Sequence, residues 1–234
     1  MTSSFRLGYV PGVTPAKWAR VWAERLPRTP LELIQVPAAD GIGLLHSNTA
    51  DAALVRLPID RTGLHAIPLY VEQTVVVVPK DHVITAVEEA TLDDLADELV
   101  LHAADDVLPW ESALPGRVVA ERPATTADAI ALVAMGTGLL IVPQSLARLH
   151  HRKDLTYRPL LDAPASQVTL AWPEGDPTPL MEEFIGIVRG RTANSTRGAT
   201  PKPEPKKPAP KKRTTQQPSQ RRRPPNPRPR RGRR

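Results

Sequence analysis

The chain has 234 residues, contains no cysteine and carries a formal net charge of +6. The absence of cysteine excludes disulfides, thiol catalysis and zinc–thiolate sites, and it is typical of proteins from a reducing compartment. The N-terminal stretch lacks a basic region followed by an apolar one, so we expect no secretory signal and a cytoplasmic location.

The charge is divided unevenly along the chain. Residues 195–234, called the basic tail below, contain 15 Lys or Arg, one acid and 10 of the 27 prolines, whereas residues 1–194 contain 16 basic and 24 acidic residues. The basic tail can bury too little apolar surface to offset its conformational entropy, so its composition predicts disorder. Residues 1–194 are long enough for a hydrophobic core.

The first part of the chain predicts two β-α-β units. Residues 5–10 and 31–36 read as strands, and between them Thr14 is expected to cap a helix that begins with proline. A second short helix, capped by Asp40, leads to a buried strand over residues 52–57. Strands joined in this way run parallel.

The rest of the chain alternates strands with short helices. Apolar periodicity predicts two strands in residues 63–82, a brief helix and a strand in 91–103, a strand at 118–120, a helix at 145–150, strands at 155–161 and 167–173, and an amphipathic helix at 179–190.

The segment from Thr125 to Ser145 has no charged residue after Asp128. It is not a membrane span, because Gly136, Gly138 and a later proline divide it into two elements. Thr125 or its neighbour predicts the N-cap of a short helix, and a glycine turn then leads to a buried strand.

Three stretches resemble the effector-binding domain of LysR-type transcriptional regulators. Residues 50–84 pair an aspartate and an apolar strand ending in "VR" with a Val-rich strand ending in "VPKDH", and residues 91–102 and 136–145 follow at the spacing of the family. The resemblance implies an α/β fold of the type 2 periplasmic-binding-protein-like class, with two α/β lobes around a central cleft.

The same resemblance implies a division of the chain. Residues 1–194 form the substrate-binding-like domain, with lobe one at about 5–78 and 168–191 and lobe two at about 79–167. Full regulators place a helix-turn-helix before this domain, and the first strand begins at Phe5, so we expect the chain to lack its own DNA-reading head. The family also implies a homodimer formed through the effector domain. Because no segment reads as a membrane span, we expect no contact with a membrane.

The resemblance places effector contacts at two helix starts and at strand ends that face the cleft. Free N–H groups and the helix dipole at such starts favour a carboxylate, so the expected effector is a small carboxylate. The threonines could instead act only as helix caps, and the arginine could be a surface charge. The candidate effector-binding residues are Val13, Thr14, Arg56, Leu57, His102, Thr125 and Thr126.

Enzymatic readings find little support, so we expect no catalysis, no cofactor and no metal. Ser145 does not sit in a G-x-S-x-G elbow, and no glycine-rich phosphate loop occurs. Trp18 and Trp22 at helical spacing indicate core packing rather than a ligand platform. No metal-ligand spacing links the six histidines, His46, His65, His82, His102, His150 and His151.

The basic tail predicts non-specific contact with nucleic acid, because its prolines keep spaced charges extended and it has no aromatic residue to stack on bases. A tail that only aids solubility or docks on the acidic domain is the alternative. The candidate phosphate-contacting residues are Lys206, Lys207, Lys211, Lys212, Arg213, Arg221, Arg222, Arg223, Arg230 and Arg231.

The first hypothesis is therefore a ligand-responsive regulator-like protein that binds a small-molecule effector. A free-standing solute-binding protein of the same fold, with no role in transcription, is the alternative. An enzyme on this fold, such as a dehydratase or a transferase, would need convergent acid, base or cofactor groups that the sequence does not show.

Overall fold

The computed structural model describes residues 4–111 and 113–191. They form two lobes, each built on one five-stranded sheet. The basic tail lies outside the described residues, so its predicted disorder and its candidate residues stay predictions.

The first lobe contains the two β-α-β units predicted near the N-terminus. Its sheet has the order β2-β1-β3-β10-β4, in which β1, β2 and β3 run parallel and β10 is antiparallel to both of its neighbours. The elements are β1 (Phe5–Tyr9), α1 (Ala16–Arg25), β2 (Leu31–Gln35), α2 (Gly43–His46), β3 (Ala52–Arg56), β4 (Leu64–Glu72), β10 (Ser166–Pro173) and α5 (Pro179–Val188).

The second lobe is the middle of the chain. Its sheet has the order β7-β6-β8-β5-β9, with β6, β7 and β8 parallel and β5 antiparallel to β8 and β9. The elements are β5 (Thr74–Pro79), β6 (Leu99–Leu101), β7 (Arg117–Val118), α3 (Thr126–Ala134), β8 (Leu139–Pro143), α4 (Gln144–Leu149) and β9 (Leu155–Pro159).

The lobe boundary differs from the sequence prediction at one element. The prediction assigned residues up to Val78 to lobe one, but β5 pairs with β8 and β9, so the chain leaves the first lobe at Gln73. A strand that is apolar along its whole length is buried in either sheet, so its composition does not show which lobe it joins.

An aromatic cluster holds α1 and α5 on the first sheet. Phe5 of β1 stacks on Trp22 of α1 with ring centroids 5.0 Å apart, and Phe184 of α5 lies 5.3 Å from Phe5. The Trp22 indole donates to the Thr29 carbonyl at 2.8 Å, and Trp18 packs at the margin of the same core. The prediction of core packing is confirmed for Trp22, which is buried, whereas Trp18 is partly buried at the edge of this core.

The segment from Thr125 to Ser145 has the predicted order of helix, glycine turn and buried strand. Every residue of β8 is buried, and the turn contains Gly136 at a φ of +76°. Within the described ranges, no helix is both long enough and apolar enough to cross a membrane.

Three local predictions are wrong. Asp40 caps no helix, because it ends a 3-10 turn, Ala38–Asp40, and α2 has Ile42 at its N-cap without a side-chain hydrogen bond. Thr14 is exposed and makes no capping hydrogen bond, because α1 begins one residue later with Pro15 at its N-cap. The brief helix expected in residues 91–103 is a single 3-10 turn, Asp93–Leu95.

Candidate functional site

A cleft with a volume of about 860 Å³ lies between the two lobes. Most of its lining follows the carboxyl ends of parallel strands, which is where open α/β sheets bind ligands. The first lobe contributes Pro11 after β1, residues 35–39 from the end of β2 onward and residues 56–58 from the end of β3 onward. The second lobe contributes residues 104–109 after β6, residues 125–127 at the start of α3, and Leu146, Leu149 and His150 from the region of α4.

Arg56, a predicted effector contact, lines the cleft, but its side chain is only 2% exposed. Its Nε donates to the Glu72 carboxylate at 2.7 Å, and one Nη donates to the Pro11 carbonyl at 2.7 Å. The other Nη reaches the second lobe and donates to the Ser145 hydroxyl at 3.1 Å. Arg56 therefore neutralises a buried carboxylate and bridges the two lobes beneath the cleft.

Both chain crossovers meet beside this arginine. The Ser166 hydroxyl contacts the Glu72 carboxylate at 3.3 Å, so the end of β4 and the start of β10 share one acceptor. At the start of β5, the Thr74 hydroxyl donates to the Pro164 carbonyl at 2.6 Å. Buried polar groups are stable only when they are paired, so these contacts hold the two crossover segments together.

The start of α3 presents backbone donors to the cleft. Thr125 is the N-cap, and its hydroxyl accepts from the Asp128 amide at 3.1 Å, as predicted. The Thr126 and Ala127 amides belong to the first turn, where the helix offers no acceptor, and both residues line the cleft. Asp128 already supplies negative charge to this helix end.

The loop after β6 carries two acidic residues that sequence reasoning did not select. Asp105 accepts a hydrogen bond from the Thr126 hydroxyl at 2.8 Å. Asp106 accepts from the Leu108 amide and the Trp110 indole, both at 3.0 Å. Asp106 thus shapes the loop, whereas Asp105 faces the cleft from an exposed position.

The remaining walls of the cleft are mostly apolar. Val36, Leu57, Leu108, Leu146 and Leu149 surround the polar groups, together with several prolines. Apolar walls with a few placed polar groups are the usual pattern of a small-molecule site. His150, for which the sequence predicted no ligand role, also lines this space.

The predicted residues divide into two groups. Leu57, Thr125 and Thr126 line the cleft with Arg56. Val13 is buried in the core of the first lobe, and neither it nor Thr14 lines the cleft. His102 also lies away from it, with its Nε2 3.3 Å from the Asp106 carboxylate. Among the described residues, no group of three or more His, Asp or Glu is placed to hold a metal ion.

Two α/β lobes around a cleft at the carboxyl ends of their strands define a fold of the periplasmic-binding-protein type. Residues 3–193 match the family described as the LysR substrate binding domain. The chain belongs to that family.

Relatives and solved structures agree with this assignment. The chain is 31% identical over 168 residues to the HTH-type transcriptional regulator CatR of Pseudomonas putida, covering 68% of this chain and 57% of CatR. It is 26% identical over 180 residues to the regulator AlsR of Bacillus subtilis (strain 168), covering 72% of this chain and 59% of AlsR. The chain thus spans 50 to 61% of the length of the five curated relatives with matches of 156 residues or more.

The fold is that of the regulators' effector-binding domains. The effector-binding domain of BenM with its effector benzoate superposes with a TM-score of 0.66 at 20% identity, covering 80% of this chain and 91% of that one. The oxidised form of OxyR gives a TM-score of 0.65 at 20% identity, covering 81% and 94%. These structures confirm the predicted two-lobed α/β fold.

Proposed function

We propose that the described domain binds a small-molecule effector in the cleft between its lobes and acts in transcription regulation, without catalysis. The observation that carries the proposal is the cleft itself, which is lined by mostly apolar residues from both lobes and by Thr126 and Ala127 at the start of α3. The benzoate effector of BenM and the regulator names of the relatives support the same class of function.

A carboxylate is the group that the start of α3 is suited to receive. Two unpaired N–H groups and the positive end of the helix dipole favour a negatively charged oxygen, as at many helix N-termini. The buried guanidinium of Arg56 is held by Glu72. In this proposal it therefore sets the angle between the lobes rather than binding the effector directly.

Blocking the cleft tests this proposal. Ala127 is exposed at the second position of α3 and lines the cleft, so Ala127→Trp fills the space between the lobes. We expect thermal-shift screening and calorimetry of a library of small carboxylates and amines to find compounds that bind the natural chain but not this variant.

Ala86→Trp is the matched control, because Ala86 is exposed in the second lobe and does not line the cleft. It should bind the same compounds as the natural chain. The proposal fails if the library contains no binder, or if the binders tolerate Ala127→Trp.

We also propose that the basic tail contacts nucleic acid without base preference. Its support is the concentration of 15 Lys or Arg in residues 195–234. Neutralisation of phosphates by such residues releases counterions and depends strongly on salt.

A further inference from the structure

Asp105 supplies an uncompensated negative charge to the cleft. The described residues that line the cleft include three charged side chains, Arg56, Asp105 and Asp106. The charge of Arg56 is cancelled by Glu72, whose carboxylate is 2.7 Å away and whose side chain is 6% exposed. The net charge of the side chains that line the cleft therefore depends on the two aspartates.

The two aspartates differ in the hydrogen bonds and ion pairs that they make. Both oxygens of Asp106 accept hydrogen bonds from its own loop, and His102 lies 3.3 Å from one of them. One oxygen of Asp105 accepts from the Thr126 hydroxyl at 2.8 Å. No ion pair to Asp105 occurs within residues 4–111 and 113–191. Asp105 is therefore the carboxylate that remains available to a ligand.

A ligand whose only charged group is a carboxylate would be attracted by the start of α3 and repelled by Asp105. Thr126 provides both a free amide at the start of α3 and the hydroxyl that binds Asp105, so an anion received by the helix would lie close to a second anion. Like charges a few ångströms apart repel, and they do so more strongly once a ligand has displaced water. A positive group on the ligand, placed between them, removes this conflict.

We propose that the effector carries a protonated amine that pairs with Asp105. This inference rests on the proposed function, because it assumes that the effector occupies the cleft. An effector that presents a carboxylate to α3 and an ammonium to Asp105 is an amino-acid-like zwitterion. The apolar walls, which include Leu57, Leu108 and Leu146, suit an apolar side chain on that zwitterion.

Two sets of matched probes test the amine. Each set compares an amino acid with one analogue that lacks the amine and one that lacks the carboxylate. The first set is leucine, 4-methylpentanoate and 3-methylbutylamine. The second set is phenylalanine, 3-phenylpropanoate and 2-phenylethylamine. Calorimetry on the full chain should find an amino acid binding at least about tenfold more tightly than its des-amino acid, as expected for a charge-assisted hydrogen bond.

Asp105→Asn isolates the charge, because asparagine keeps an oxygen that can accept from Thr126. This variant should weaken amino-acid binding about tenfold or more and should strengthen binding of the des-amino acids. Asp176→Asn is the matched control, since Asp176 is exposed and does not line the cleft, and it should change neither affinity.

The outcomes separate this inference from the proposed function. Two results would overturn the proposal that the effector carries an amine while leaving the cleft as the effector site. In the first, the des-amino acids bind as tightly as the amino acids. In the second, Asp105→Asn leaves the affinity for the amino acids unchanged. Failure of all six probes, with other library compounds still blocked by Ala127→Trp, would likewise overturn the amino-acid class. Binders that ignore Ala127→Trp would overturn the proposed function and this inference together.

Discussion

At the scale of single residues, the contact between Arg56 and Glu72 is the most consequential pairing in the domain. The two side chains are almost fully buried, and the arginine also bonds to Pro11 and Ser145 on opposite sides of the cleft. Removing one partner of a buried ion pair leaves an uncompensated charge, which is far more costly than the pair is stabilising.

Glu72→Leu should therefore lower the free energy of unfolding by about 3–5 kcal/mol, measured by urea denaturation. The matched control is Asp154→Asn, which breaks the exposed pair between Arg152 and Asp154 at 3.1 Å. That loss should be much smaller, because exposed pairs are screened by water and salt. Equal losses for the two variants would show that Arg56 and Glu72 do not depend on each other.

The two threonines predicted as caps make a second comparison. Thr125→Ala removes the acceptor of the Asp128 amide and should cost about 1 kcal/mol of stability. Thr14→Ala removes no capping hydrogen bond and should leave the unfolding midpoint unchanged. A loss for Thr14→Ala as large as that for Thr125→Ala would contradict the position at which α1 begins.

At the scale of elements, most of the strands could be predicted from the sequence because burial leaves a pattern. The runs that became β1, β3, β5 and β8 are apolar or alternate, and the last three end at a proline or a charged residue. The start of α3 could be predicted for a similar reason, since the chemistry of an N-cap is local.

The loops that shape the cleft could not be predicted in this way. Asp105 and Asp106 are neighbours in sequence, and only the folded structure shows that one supports the loop while the other faces the cleft. The partners of Arg56 lie 16, 45 and 89 positions away in the chain, so no local pattern indicates that its charge is cancelled.

Two glycines with left-handed backbones, Gly63 before β4 in the first lobe and Gly116 before β7 in the second, test the effect of close packing at such a position. Gly116 has a φ of +70°, and a Cβ at this position would lie 2.5 Å from the Leu95 carbonyl oxygen and 2.7 Å from that of Glu98. Gly63 has a φ of +68° but open space around it. The two positions therefore share the backbone penalty and differ only in the steric contact.

Gly63→Ala should cost about 1–2 kcal/mol, which is the penalty of the left-handed conformation for a residue with a side chain. Gly116→Ala should cost clearly more, because the backbone of Leu95, at the end of the 3-10 turn, and that of Glu98, just before β6, would have to shift. Thermal unfolding of both variants checks this difference. Equal melting temperatures would contradict the close packing at Gly116.

At the scale of the whole molecule, an acidic domain and a basic tail are joined in one chain. The full chain should bind duplex DNA with an affinity that falls steeply as salt rises, whereas a chain ending at Asn194 should not bind. A full-length variant with the ten candidate tail residues changed to glutamine controls for chain length. Equal binding by the truncated chain would contradict the role of the tail.

The homodimer that the family implies is a separate prediction at this scale. Sedimentation of the full chain and of the chain ending at Asn194 should give the same dimeric state, because the expected contact lies in the effector domain. A monomer in both cases would contradict it.

The central claim is that the cleft between the lobes receives the effector. The most direct measurement is a titration of the isotope-labelled full chain with the tightest-binding small molecule, followed through the backbone amide signals. We predict the largest changes at Gln35 and Val36 of the first lobe and at Asp105, Thr126 and Ala127 of the second, all of which line the cleft. Changes confined to one lobe, or to surfaces away from these residues, would contradict the claim.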